Sequence, residues 1–420
     1  MEFMISKQNK IPMRTLLLSF IIFFHWCSAQ ETQFTKRPRN DVRNGPGAYY
    51  ELIRTLPEGV PLTIEKTEKN WVKIKSLDNS EAWISKNCLV DKKPAGNPVK
   101  ELTKEWLSPA TSKTAIAAAI RGFAQRFGKA DEGDPSFLEY AGEMQFDTGE
   151  YQSFLKETMQ EISPKQMEEL GNVQSMFSEY ENTLTAEGIG AGIASRVAAK
   201  GFVKDAALLK YINLLGMYLV ESSPSYDEQF HFFILPDART NAFSVPGGYI
   251  FITKGMLDEC ENEAELAGAI SHEVAHLLLN HGVKEIKART ALFKMEKYMQ
   301  NVQKLVNDEL RETEKSIELY STVLYDLVHR PKTVAIEEEA DKLAAVLLAL
   351  SGYDPRALTQ LLKKTETASK QSLSKNYDQE QTYSFFDLKQ RRDHLQKFID
   401  GTLSHIKGKM NLERFKANMK

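Results

Sequence analysis

His272-Glu273-Val274-Ala275-His276 is the segment whose residue types and spacing could do chemistry. Two histidines four apart share one face of an α-helix, so both imidazoles can reach a single cation, and Zn²⁺ takes histidine nitrogen at about 2.0–2.1 Å. Glu273 sits roughly 100° around the same helix. That places a carboxylate beside the ion position rather than beneath it, where it can act as a base on water activated by the ion. A chain of this composition would produce the pattern by accident about 0.02 times. The plain alternative is a pair of surface histidines beside a solvated glutamate, and it would not require the hairpin and capped helix that precede the motif.

A catalytic zinc site takes three protein ligands and keeps a fourth position for water, so a third donor must come from elsewhere. Glu337-Glu338-Glu339-Ala340-Asp341 opens a second helical segment whose apolar stripe is Ile336, Ala340, Leu343 and Leu347. Glu337 shares a face with Asp341 and borders that stripe alongside Ala344 and Leu348, whereas Glu338 shares its face with Lys342. Glu337 is therefore the carboxylate best placed to be partly buried, and Asp341 could accept a ring N–H of a ligating histidine and fix its tautomer. Complementarity of an acidic helix start to the helix dipole is the competing explanation. His281 extrapolates to the far side of the helix from the ion and reads as a complement to the helix C-terminus. His231, His329, His394 and His405 have no spacing partner.

The elements that would position these groups can be read from local patterning. Phe230 to Leu235 is a compact apolar run, and Asn241 to Val245 and Tyr249 to Thr253 flank Pro246-Gly247-Gly248, as strands joined by a Gly-containing turn would. Asn262 is a good N-cap, with Glu265 three residues later to complete a capping box, and the helix so started runs to about Asn280 and stops at Gly282. Thr111 to Gly216 is mostly helical in pattern, and the Gly188 to Gly192 cluster suits a closely packed helix. It is not a phosphate loop, because it lacks the Gly-Lys-Ser/Thr ending. The charged stretch Lys284 to Leu327 reads as a helical scaffold or lid between the ligands.

In this order, Asn241-Ala242-Phe243, Pro246-Gly247-Gly248, the His272 to His276 motif and Glu337 to Asp341 resemble the HtpX, BepA and CAAX prenyl protease family of HExxH zinc metallopeptidases, of gluzincin type. The resemblance covers about Glu181 to Leu362 and extends to Gly188, Asp205, Tyr211, Asn213 and Gly216. It implies one Zn²⁺ per chain held by His272, His276 and Glu337, with Glu273 as catalytic acid/base and Asp341 behind a ligand. It also implies a substrate-pairing strand at Asn241, Ala242 and Phe243. The family's His-Pro pair followed by an arginine is missing: Ser384-Phe385-Phe386-Asp387 precedes Arg391-Arg392, so no transition-state arginine is assigned.

Residues 40 to 90 show short apolar alternations (Leu62, Ile64; Val72, Ile74) broken by turn signals, which indicates a small β-barrel. Asp41 to Gly47 and Glu81-Ala82-Trp83-Ile84 resemble the bacterial-type SH3 domain, which implies a cell-wall or peptide ligand. Trp71 and Trp83 could serve either as core or as its platform. Ahead of this unit, Lys7, Lys10 and Arg14 precede an uncharged run from Thr15 to Phe24, and Cys27-Ser28-Ala29 supplies small residues, as in a secretory leader cleaved after Ala29. The run is too short to span a bilayer. Phe24, His25 and Trp26 are bulky where a lipoprotein signal is small and aliphatic, which argues against a lipid on Cys27. No transmembrane segment is expected in the mature chain.

The 420 residues are 42% hydrophobic and 26% charged, with 54 Lys+Arg against 57 Asp+Glu, so no basic excess points to nucleic acid. Three cysteines are too few for a disulfide framework. The expected organisation is a leader at 1–29, an SH3-like domain at 38–90, a linker at 91–110, a metallopeptidase domain at 111–410 with its core at 181–362, and a tail at 411–420. The fold class is α+β: a mainly helical zincin-like domain with a small β-sheet, preceded by a small SH3-like β-barrel. The expected function is that of a secreted, periplasmic or extracellular zinc endopeptidase acting on proteins or peptides, in particular unfolded or damaged envelope proteins. The rival is a catalytically silent, chaperone-like envelope binding module with a structural metal.

Overall fold

The computed structural model describes residues 31–37, 39–75, 81–94, 137, 148–158, 176, 190, 193–199, 201–282, 332–373 and 385–419. The expected leader, most of the expected linker, much of the stretch after Thr111 that reads as helical, His329 and the segment Lys284 to Leu327 lie outside these residues.

Seven strands form the N-terminal unit: β1 (Thr32–Thr35), β2 (Asn40–Arg43), β3 (Leu52–Leu56), β4 (Pro61–Glu68), β5 (Trp71–Ile74), β6 (Trp83–Ser85) and β7 (Leu89–Val90). They pair antiparallel in the order β3-β2-β6-β5-β4-β1-β7. One apolar face wraps a single core of Val42, Leu56, Val60, Leu62, Val72, Ile74, Ala82, Ile84 and Cys88. Irregularities between Val42 and Arg43 and between Ile64 and Lys66 bend the sheet around that core. Among the described residues the ladder does not close, so the expected barrel is a curled sheet with β3 and the two-residue β7 as its edges.

The unit is docked in part through residues 224–229. Arg37 donates to Asp227 at 2.8 Å and to Glu228 at 3.4 Å, Asn87 donates to Asp227 at 2.9 Å and to the Pro224 carbonyl at 2.8 Å, and the Ser85 hydroxyl meets the Tyr226 hydroxyl at 2.9 Å. Trp71 and Trp83 are buried together with Ala48 and Tyr226. These tryptophans belong to the contact between the two units, not to an open platform.

The second unit is built on a three-stranded sheet, β8 (His231–Leu235), β9 (Ala242–Val245) and β10 (Tyr249–Thr253), with β10 central, parallel to β8 and antiparallel to β9. Gly247 and Gly248, at φ 83° and 85°, make the turn from β9 to β10 in a region that side-chain-bearing residues avoid. Gly190 packs on that turn so closely that a Cβ would overlap the Pro246 carbonyl, which is the close approach expected of the Gly-rich helix. On the sheet lies α2 (Ala206–Glu221), which follows α1 (Thr148–Thr158) in the chain. Asp205 caps α2 by accepting from Ala207 and Leu208, both at 3.0 Å. Buried Asn213 bolts it to β8, accepting from the Phe232 N–H at 3.0 Å and donating to the Phe232 carbonyl at 2.8 Å. Two of the family-like residues before the motif thus have local structural reasons.

After the short α3 (Lys254–Glu259) comes α4 (Glu263–Leu278), the helix that carries the motif. Asn262 accepts from the Glu265 N–H at 3.0 Å, a cap whose loss typically costs about 1 kcal/mol. The Glu265 carboxylate reaches one residue further back than expected, to the Glu261 N–H at 2.7 Å, and pairs with Lys364. The helix ends earlier than Asn280, because Asn280 itself turns left-handed at φ 54°. Every residue of α4 except His272 is buried, so it is a central helix rather than a surface one. It packs against α5 (Val334–Leu350) and α6 (Arg356–Leu373), with α7 (Phe385–Thr402) and α8 (Leu412–Asn418) completing the shell. Cys88 and Cys260 are free and buried in separate cores.

Candidate metal centre

On α4, His272 and His276 turn the same ring atom toward each other: their Nε2 atoms are 3.0 Å apart. From α5, Glu337 brings Oε2 to 3.2 Å from Nε2 of His272 and Oε1 to 3.5 Å from Nε2 of His276. Ligands about 2.0–2.1 Å from a tetrahedral zinc are about 3.3 Å from one another, so these spacings fit one shared ion. Two imidazole lone pairs and a carboxylate facing one another repel unless a cation or proton lies between them, and the donor types match the His and carboxylate preference of zinc. Glu273 also brings a ligand atom within 4.8 Å of both histidines. Its Oε2, however, accepts from the Ser244 hydroxyl of β9 at 3.1 Å, which holds it to one side.

The other ring nitrogens are backed differently. Nδ1 of His272 lies 2.9 Å from Asp341 Oδ1. Nδ1 of His276 lies 2.9 Å from Nδ1 of His281, whose Nε2 in turn meets Glu339 at 3.1 Å. His281 does stand away from the ion position, but it does not simply complement the helix end. With Asn280 left-handed, the chain turns and folds the fully buried His281 ring back onto His276.

Arg391 was not singled out by spacing, and α7 brings it into the cluster. Its Nε and Nη2 donate to the two oxygens of Asp341, both at 2.9 Å, and its Nη1 lies 2.7 Å from Glu337 Oε2. Its signal was available: Arg391 lies between Leu388 and Leu395 on the buried face of its helix, where an arginine needs a buried anion. Ser244 gave no such signal, because an alternating strand offers nothing to mark one serine.

The charges follow from this packing. Burial favours neutral Glu337 and Asp341, but Arg391 and then the histidines outweigh it and hold both carboxyls below the usual range, Glu337 far below. For His272 burial opposes the charge, and Asp341 with Glu337 outweighs it, raising the imidazole to about 9. Burial and Lys332 push His276 well below the ordinary histidine value. The two ionised carboxylates are thus balanced by Arg391 and by a proton on His272, and a cation at the point between the three donors would take that proton's place.

The residues expected to form a substrate strand are placed differently from one another. The Phe243 ring turns into the core and stacks on Phe251 at 5.3 Å, while Ser244, on the opposite face of β9, is the residue that touches Glu273. The Asn241 N–H is tied to the Thr253 hydroxyl at 3.0 Å. Among the described residues β9 pairs only with β10 and forms an edge of the sheet. Of the remaining histidines, His231 stacks on Tyr249 and His394 meets Glu338 at 2.5 Å.

Residues 210–399 match peptidase family M48, and residues 41–90 match the bacterial SH3 domain. The Escherichia coli (strain K12) beta-barrel assembly-enhancing protease is 24% identical over 212 residues, covering 46% of this chain and 43% of that protein. The mitochondrial metalloendopeptidase OMA1 of Schizosaccharomyces pombe is 26% identical over 161 residues, covering 38% of this chain and 45% of that protein. Arabidopsis thaliana OMA1 is 30% identical over 133 residues, 31% of this chain and 24% of that protein. The chain spans less than half the length of each of these relatives. The chain thus resembles, in order, a bacterial SH3 domain followed by an M48 metallopeptidase domain.

Proposed function

We propose, from the premise that residues 210–399 are an M48 metallopeptidase domain, that the chain is a zinc endopeptidase whose ligands are His272, His276 and Glu337. The observation that carries this reading is the mutual 3.0–3.5 Å spacing of two Nε2 atoms and one carboxylate. A bound Zn²⁺ would lower the pKa of its water to about 7 and polarise the scissile carbonyl. Glu273 takes the proton from the attacking water and returns it to the leaving amine, while Ser244 holds its carboxylate in place. Asp341 orients His272, and Arg391 neutralises the two carboxylates that would otherwise repel each other across α5.

Extended substrate pairs with the open edge of β9, which selects unfolded or loop segments over folded domains. The relatives' names point to barrel-assembly and mitochondrial proteases. On the charge and apolar pattern of residues 1–29, we place this chain in an exported, envelope setting with damaged or unfolded proteins as substrates. Any cell-wall or peptide ligand of the SH3 unit must use a face other than Trp71 and Trp83, which are buried against Tyr226.

Digestion of unfolded casein tests the reading. Cleavage should proceed with zinc, stop with a chelator and resume on re-addition of zinc. Zinc-independent binding of casein without cleavage would favour the silent binding module.

A further inference from the structure

The two imidazoles facing the ion position are backed by unlike partners. Behind His272 stands a carboxylate clamped by an arginine. Behind His276 stands another imidazole. A carboxylate can only accept, so the 3.1 Å contact with Glu339 puts the hydrogen of His281 on Nε2. In the neutral ring Nδ1 of His281 is then an acceptor, and the 2.9 Å contact with Nδ1 of His276 is satisfied only if His276 carries its hydrogen there. That leaves Nε2 of His276 with a lone pair, on the side where Glu337 and His272 converge. The opposite tautomer of His276 would set a hydrogen at the ion position and two lone pairs against each other behind it.

We infer that His281, anchored by Glu339, is a positioning residue that fixes the tautomer and ring orientation of His276 for metal binding. The inference rests on the zinc-site reading above. Hydrogen-bond partners behind ligating histidines typically change metal affinity by about 10–100-fold when removed. His281 is fully buried and meets His276 at Nδ1, the ring nitrogen turned away from the ion position, so it acts through His276 and not on the ion. The side chain of Glu339 is 60% exposed, so the relay ends at solvent and can be cut there without opening the core.

The test uses the full chain and reads zinc affinity by competition with a chromophoric chelator, together with the visible spectrum of the Co²⁺-loaded protein. His281→Leu should weaken zinc binding about 10–100-fold and change the cobalt bands. His281→Asn, whose amide oxygen can accept where Nδ1 did, should restore most of the affinity and the parent spectrum. Glu339→Ala should weaken binding less than His281→Leu, and it carries the test even where the leucine variant does not fold. Parent-like zinc affinity in both folded His281→Leu and Glu339→Ala would overturn the positioning role while leaving the zinc site intact. A parent chain that takes up no zinc at all would instead overturn the site on which the inference rests.

Discussion

Both ends of α4 are built from buried charged and polar side chains, and they differ in one respect. At the N-terminal end, fully buried Glu263 accepts from the hydroxyls of Tyr211 (2.9 Å) and Tyr353 (2.6 Å), from Asn411 (2.9 Å) and from Arg414 Nε (2.6 Å). Every acceptor there meets a donor. At the other end, Nε2 of His272, Nε2 of His276 and the Glu337 carboxylate, all three acceptors when deprotonated, face one another. A satisfied cluster needs nothing further and works as a staple, here tying the C-terminal α8 to the centre of the fold. A cluster of facing acceptors holds together only with a cation or a proton between them, and that exchangeable position distinguishes a site from a staple.

Breaking each end should give opposite phenotypes. The largest effect is expected for Glu273→Gln, which keeps the ligands and loses the base. Casein cleavage should fall by about 10²–10⁴-fold with zinc content unchanged, and an unaltered rate would remove Glu273 from the chemistry. Next is Glu263→Ala, which removes the fully buried carboxylate that Tyr211, Tyr353, Asn411 and half-buried Arg414 share. Urea unfolding should show a loss of about 3–5 kcal/mol, while the folded fraction still binds one zinc. A loss of zinc with normal stability would reverse the comparison.

Asp341→Asn sharpens it from the other side. It keeps the shape behind His272 but removes the charge shared with Arg391, and zinc affinity should fall about 10–100-fold by chelator competition. The smallest effect concerns the contact between the units. Burial and then Asp227 raise Glu228 to about 8, against the pull of Arg37. The folded chain therefore keeps a proton that the unfolded chain releases above its ordinary value of 4.5. Stability contributed by this group is greatest below about pH 4.5 and declines as pH rises to about 8. The Tm should fall across that window, and Glu228→Gln should flatten the slope. An identical pH dependence in the variant would clear Glu228 of the effect.

What was legible in the sequence was whatever local periodicity could express. The 3.6-residue period placed His272 with His276 and Glu337 with Asp341, and the strand boundaries of β9 and β10 followed from the turn glycines. Features set by long-range packing were not legible. Arg391 reaches Asp341 across 50 residues, and the Tyr226 contact that buries Trp71 joins two units of the chain. His281 stands away from the ion position as helical spacing expects, but its contact with His276 is not legible, because the left-handed backbone of Asn280 ends the helix and redirects the next side chain. The capping box shifted by one residue because the Glu265 side chain found the Glu261 N–H and Lys364.

The central claim is that α4 and α5 together hold one divalent ion. Crystals of the zinc-loaded chain, measured on both sides of the zinc absorption edge, test it most directly. The account predicts one anomalous peak about 2 Å from Nε2 of His272, Nε2 of His276 and a Glu337 oxygen. A peak that omits any of the three, or none at all in protein with full zinc content, would contradict it.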